Sequence, residues 1–231
     1  MSADAGAGVR ARDRDRLVVL LAMLSGATDA IGFVGLGSAF TSVMTGNMVL
    51  IGVAVGAGDH TALGLTLAAI GGYVVGVGVG ARVAGKPQPG DPAWPRAVTR
   101  ALLLELALFA AFAVAWWTHG GEPPESWFGV LLAVNSMALG VQSSAILRFG
   151  VSGLSTTYLT GTLTTLVTRV ATGEPLNTVG HPARLLGGLI LGAALGAGAV
   201  THARSFAPAL QLVPLLLVLV YAGLRSRRGT D

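Results

Sequence analysis

The chain has 231 residues, 52% of them apolar and only 11% charged, with a formal net charge of +4 and a mean hydropathy of +0.69. A soluble domain carries about 25% charged residues, so too few charges are present to cover a water-facing surface, and a soluble enzyme or a nucleic-acid-binding protein is excluded. The basic balance comes from fourteen Arg and a single Lys86, placed mostly between apolar runs, as expected of residues that flank membrane spans.

Residues 1–16 are polar, with Arg10, Arg12, Arg14 and Arg16 interleaved with Asp13 and Asp15, and are expected to form a disordered cytoplasmic arm. The apolar run that follows continues to Leu36 without a cleavage site, so a cleaved signal peptide is not expected. Apolar segments then fall at about 17–36, 61–83, 101–117, 127–147, 185–200 and 207–224, near the roughly 20 residues that a helix needs to cross a bilayer. Two further stretches, 38–57 and 152–171, are apolar but broken by Ser, Thr, Asn and Gly. Eight of the ten Pro residues, Pro175 and Pro182 among them, are read as lying between segments, and Pro214 predicts a kink in the last one. The four Trp residues sit at or near segment ends, where indole favours the lipid–water interface.

An internal repeat is visible. Phe40–Asn47 aligns with Ser155–Thr162 at an offset of 115 residues, matching Thr41 with Thr156, Thr45 with Thr160 and Gly46 with Gly161. Gly71, Gly72, Gly76 and Gly80 align with Gly187, Gly188, Gly192 and Gly196 at an offset of 116. The halves are about 17–118 and 127–224, within one membrane domain over 17–224 followed by a cytoplasmic tail over 225–231. Charge then selects a topology. Eight crossings violate the positive-inside rule in either orientation. Six crossings, with the two broken segments entering and returning on one side, place nearly all Arg and Lys86 in the cytoplasm and Glu122 and Glu125 outside, with Arg204 the exception. The expected fold is therefore an all-α membrane protein of two inverted three-helix repeats, each with a re-entrant Thr-Gly segment.

Several residues could carry chemistry. Thr41, Thr45, Gly46 and Asn47, with Thr156, Thr160, Gly161 and Thr162, could meet at the midplane and present half-helix ends to a solute, or else cap half-helices and bond neighbouring helices. Asp29 is a carboxylate inside the first span; it could titrate, bind a cation, or anchor the nearby Thr-Gly element. A coupling role predicts that Asp29→Asn inserts normally and loses any pH dependence. Gln142 shares a helix face with Asn135, seven residues away. Glu105, five residues from Arg100, is expected to reach toward the interface. The spaced glycines are read as helix-packing positions. The four His residues show no metal-ligand spacing, and no GxSxG, Walker or HExxH motif is present.

Asp29-Ala30, Met44-Thr-Gly-Asn47, Gly140-Val-Gln142 and Gly150–Thr162 together resemble the YoaK family of bacterial inner-membrane proteins, over roughly residues 17–222. The resemblance implies a bacterial membrane location and supplies neither substrate nor catalytic residues. The functional expectation is a small-solute secondary transporter with a midplane site and protons as the candidate coupling ion. A passive channel and a non-transporting scaffold or stress protein are the alternatives, and a homo-oligomer is compatible with each. No cofactor, catalytic residue or metal is expected, and the partners are the lipid bilayer and an unidentified solute.

Overall fold

The computed structural model describes residues 2–150, 159–174 and 176–227. Among the described residues there are eight α-helices and no strands: α1 (Ser2–Gly35), α2 (Met44–Ala57), α3 (His60–Ala84), α4 (Arg96–Thr118), α5 (Phe128–Leu147), α6 (Leu159–Ala171), α7 (Leu176–His202) and α8 (Ala209–Arg227). Six stretches are long and apolar enough to cross a membrane: Ala11–Gly35, His60–Ala84, Arg96–Thr118, Glu125–Leu147, Val179–His202 and Arg204–Arg225. The 14-residue α2 spans about 21 Å at about 1.5 Å per residue, short of a bilayer core of about 30 Å.

Two sequence expectations meet a different structure. The helix α1 begins at Ser2, so the arm expected to be disordered continues the first span as helix. Asp13 pairs with Arg225 at 3.0 Å and Arg14 with Asp15 at 2.9 Å, giving the end of this extension polar partners. Pro182 lies inside α7, not between segments. Proline is tolerated inside membrane helices because neighbouring helices, Ser or Thr side chains and local backbone adjustment re-satisfy the carbonyl that its missing N–H frees.

Local sequence explains the joints. Gly58 closes α2 with φ +68°, and Asp59 caps α3 by accepting the Ala62 N–H at 2.9 Å. Pro95 ends the α3–α4 connection in an extended conformation and leaves α4 free to start at Arg96.

Glycine decides the packing. Gly72 and Gly76 on α3 lie against the backbone of Ala133 and Met137 on α5, and Gly80 lies beside Val141. Gly188, Gly192 and Gly196 on α7 lie against Val19, Met23 and Ala27 on α1. Both pairings advance in the same direction along the two chains, so α3 runs parallel to α5 and α7 parallel to α1. The reciprocal glycines, Gly140 on α5 and Gly26 on α1, abut the backbones of α3 and α7. Each seam thus joins one sequence half to the other, as close as small-residue helix contacts allow.

The helices α1 and α5 are central. In their most apolar stretches 67% and 72% of residues are buried, against 22% and 28% in α3 and α7. Leu21, Leu24, Leu102, Phe109, Leu139, Leu185 and Val218 form one apolar cluster, and Ile31, Leu36, Phe112, Trp116, Leu132 and Val200 form a second. Exposed Val74, Ile190, Leu191, Val213 and Leu217 cover the outer faces, which are the surfaces that contact lipid. The end of α4 is tied to the α7–α8 turn by the Trp116 and Trp117 indole N–H groups, which donate to the carbonyls of Arg204 and Ser205 at 2.8 Å each. Arg204, the exception to the charge rule, stands 3.5 Å from Glu122.

Candidate functional site

The first constellation is built where α1 ends. Residues 36–43 are non-helical, with Gly37 and Ser38 at positive φ, and their backbone polar groups need partners. Asp29, buried one and a half turns before the end of α1, provides them. One carboxylate oxygen accepts the N–H groups of Thr41 and Ser42 at 2.7 Å each and the Thr41 hydroxyl at 3.0 Å, and the other accepts the Ser42 hydroxyl at 2.5 Å. Asn47 secures the next stretch reciprocally: its Oδ1 accepts the Phe40 N–H at 2.9 Å and its Nδ2 donates to the Phe40 carbonyl at 2.7 Å. Phe40 stacks on Phe33 with 4.7 Å between ring centres. Of the roles open to Asp29, this geometry matches anchoring of the Thr-Gly element.

The expected site residues divide into groups. Asp29, Thr41 and Asn47 surround the break after α1, and Gly46 packs beside Phe40 and Val43. Thr45 is exposed. In the second half Thr160 and Gly161 are exposed and Thr162 is buried, whereas Thr156 lies outside the described residues. The helix α2 packs along α3 and α6 along α7. Gln142 belongs to neither Thr-Gly element, and its Nε2 donates to Ser25 Oγ of α1 at 2.8 Å.

That bond is part of a second constellation, a polar seam between the two central helices. Ser25 and Thr28 on α1 donate their hydroxyl protons to the carbonyls of Leu21 and Leu24, at 3.0 and 2.9 Å. Their lone pairs then face the side-chain amides opposite. Gln211 of α8 reaches into the same seam, donating to Thr28 Oγ1 at 3.3 Å and to Asn135 Oδ1 on α5 at 3.1 Å. All of these side chains are fully buried. Asn135 Nδ2 and Gln211 Oε1 retain unused hydrogen-bonding capacity, with no partner among the described residues. Buried polar atoms are usually satisfied, so two on adjoining amides in one seam mark a place where hydrogen bonds can be offered to something else.

Sequence reasoning placed Gln142 and Asn135 on one face and missed Ser25, Thr28 and Gln211. A lone Gln in the last apolar segment was the available signal for Gln211. Other polar contacts are structural: Tyr73 OH donates to Ser143 Oγ at 3.0 Å, Ser144 Oγ donates to the Val77 carbonyl at 2.9 Å, and Arg148 pairs with Asp91 at 2.9 Å. Glu105 does not reach the interface. It is fully buried in the middle of α4, where Leu102 and Phe109 turn toward the core. Among the described residues no three His, Asp or Glu side chains gather into a metal-binding group.

The sequence pattern of the family described as "Protein of unknown function (DUF1275)" matches residues 17–222, from the first span to the last and across both constellations. The chain belongs to the DUF1275 family. A protein of Bacillus subtilis (strain 168) described as "UPF0700 transmembrane protein YoaK" is 36% identical over 154 residues. That match covers 67% of this chain and 66% of the relative, just under two thirds of the relative's length. No solved structure matches the chain. For this DUF1275 member the helices and the relative agree on a multi-pass membrane protein.

Proposed function

We propose that the protein is a secondary transporter of a small polar solute, seated in a bacterial cytoplasmic (inner) membrane with both termini in the cytoplasm. The observation that carries this reading is the α1–α5 seam. It is lined by amides and hydroxyls, two of the amides with unused capacity, and it lies between two helix pairs, α1/α7 and α3/α5, each held by close glycine contacts. Two such pairs that meet across a polar interface can rock against each other and expose that interface to either side. The groups lining the seam are uncharged, so the solute class is one recognised by amide and hydroxyl hydrogen bonds.

In this reading residues 17–118 and 127–224 are inverted repeats, and the Thr-Gly segments re-enter on the side from which they came. Support comes from Gly37, just past the end of α1, which lies against Leu65 near the start of α3 and Phe128 at the start of α5. Further support comes from Arg148, at the end of α5, which pairs with Asp91 in the α3–α4 connection. The basic residues Arg14, Arg148 and Arg225 gather at one end of the bundle and Glu122 stands at the other, which supports cytoplasmic termini.

The test is uptake into proteoliposomes of a labelled panel of amino acids, polyols and sugars, with and without a proton gradient. Saturable uptake that depends on the protein supports transport, and unsaturable flux selects a passive channel. A non-transporting scaffold is the second reading, favoured by the outward placement of Thr45 and Thr160. Absence of flux across the panel with a folded protein selects it.

A further inference from the structure

Glu105 stands apart from both constellations. It lies nine residues from the start of the 23-residue α4, close to the helix midpoint. It is fully buried, and neither carboxyl oxygen meets a hydrogen-bond partner. Leu102 and Phe109, on the same face of α4, pack in one cluster with Leu21, Leu24, Leu139, Val141, Leu215 and Val218.

The helices packed on α4 are α5, α8 and α3, and none brings a compensating charge to this depth. The helix α5 contains no ionisable side chain. On α8 the ionisable residues are Tyr221, Arg225 and Arg227, all in its last two turns, and the Tyr221 hydroxyl accepts from Arg225. On α3 His60 and Arg82 lie at the ends, and Tyr73 is bonded to Ser143. Arg96 and Arg100 of α4 itself are exposed near its start. An anionic carboxylate in such a place would lose its hydration and gain neither a counter-ion nor a donor. The contrast with Asp29, which accepts four hydrogen bonds from its own chain, separates a carboxylate that holds structure from one that holds none.

We propose that Glu105 is a proton-binding site of the bundle. Its carboxyl group carries a proton in this closed arrangement and exchanges it with water only when α4 parts from α5 or α8. The ligand class is the proton and not a metal cation, because Glu105 belongs to no group of three or more acid or His side chains among the described residues and neither of its oxygens has a polar partner. The step balances simply: loading forms one O–H bond and brings in one positive charge, and unloading reverses both. The inference rests on the surroundings of Glu105 and stands independently of solute transport.

The experiment uses the purified full chain at neutral pH. A protonated carboxyl in apolar surroundings adds its O–H across a C=N bond of dicyclohexylcarbodiimide, giving an O-acylisourea that rearranges to a stable N-acylurea, and peptide mass spectrometry locates the adduct. Infrared spectroscopy of the wild type and Glu105→Gln compares the carbonyl band of protonated carboxylic acid. The expected result is an adduct on Glu105 and loss of that band in Glu105→Gln. An unmodified Glu105, or a band unchanged by Glu105→Gln, overturns the proposal. Should the variant fail to accumulate, the wild-type adduct alone decides. A labelled Glu105 in a protein without flux leaves this inference standing and removes the transport reading, and flux with an unlabelled Glu105 does the reverse.

Discussion

Gly192 of α7 lies directly on the Met23 carbonyl of α1, so closely that a methyl group on Gly192 would overlap it. Gly76 of α3 stands in the same relation to Met137 of α5. In both cases the obstacle is backbone, which cannot swing aside as a side chain can. Backbone contact of this kind holds each helix pair closely together, and in the proposed transport reading the polar α1–α5 seam is where the pairs part.

Alanine at Gly76 or Gly192 is therefore expected to lower stability by roughly 1–3 kcal/mol, the usual cost of overpacking. Gly187, one residue before the seam position Gly188, has open space where a Cβ would stand. Gly187→Ala is expected to leave stability unchanged or raise it by up to about 1 kcal/mol through helix propensity. Thermal unfolding in detergent of the three variants checks this, and equal destabilisation by all three would mean that the seams do not hold the pairs.

The anchoring role of Asp29 sets an expectation opposite to that of a coupling residue. Asparagine keeps one acceptor oxygen and places an NH2 group against donors from Thr41 and Ser42. Leaving a buried donor unpaired costs about 1–3 kcal/mol, so Asp29→Asn is expected to accumulate poorly or melt at lower temperature. Ser42→Ala removes one bond of the four and is expected to cost about 1 kcal/mol. Asp59→Asn is the control, because Asn caps a helix as well as Asp does and the site is exposed. Membrane abundance and melting temperature report all three. An Asp29→Asn protein as stable as the wild type would return Asp29 to the coupling role.

The spans were legible because lipid imposes length and apolarity directly on the sequence, and the structure has six such helices. Asp29 was legible because a charge inside a span is conspicuous. Its strongest partner, Ser42, was not, because the repeat drew attention to the threonines and glycines that align between halves. Ser25, Thr28 and Gln211 were hidden for a different reason: a single polar residue in an apolar run does not say which helix it will face. The glycine repeats were legible as contact positions. That each would pack on the other half of the chain was not, since spacing gives a face and no partner. Pro182 was read as a boundary by a rule suited to helices in water, and α7 carries it inside.

Topology can be checked with single cysteines, since the chain contains none. Arg12, Gln88 and Ser126 are all exposed. If residues 36–59 enter and return on one side, Arg12→Cys and Gln88→Cys label from the same side of a vesicle and Ser126→Cys from the other. If α2 crossed the membrane, Arg12→Cys would label together with Ser126→Cys. Impermeant maleimide applied to sealed vesicles of known orientation distinguishes the two patterns.

The most direct probe of the seam is Gln211. Its Nε2 bridges Thr28 and Asn135, linking α8 to both central helices, and its Oε1 has no partner among the described residues. Leucine of similar size at this position would remove an unsatisfied polar atom from the core while giving up two hydrogen bonds of 3.3 and 3.1 Å. Thr28 Oγ1 would keep its bond to the Leu24 carbonyl, but Asn135 Oδ1 would lose the Gln211 donor, so Gln211→Leu is expected to cost about 1–3 kcal/mol of stability. A solute that uses the free amide edges would feel a separate loss. One missing hydrogen bond in a buried site is worth roughly 1–3 kcal/mol, which corresponds to about a five- to hundredfold fall in flux at sub-saturating solute. Gln211→Leu is thus expected to fold with a lowered melting temperature and to transport poorly. Melting temperature and initial uptake rate, measured on the same preparation, separate the outcomes: unchanged uptake in a stable Gln211→Leu protein would mean that the solute does not pass this seam.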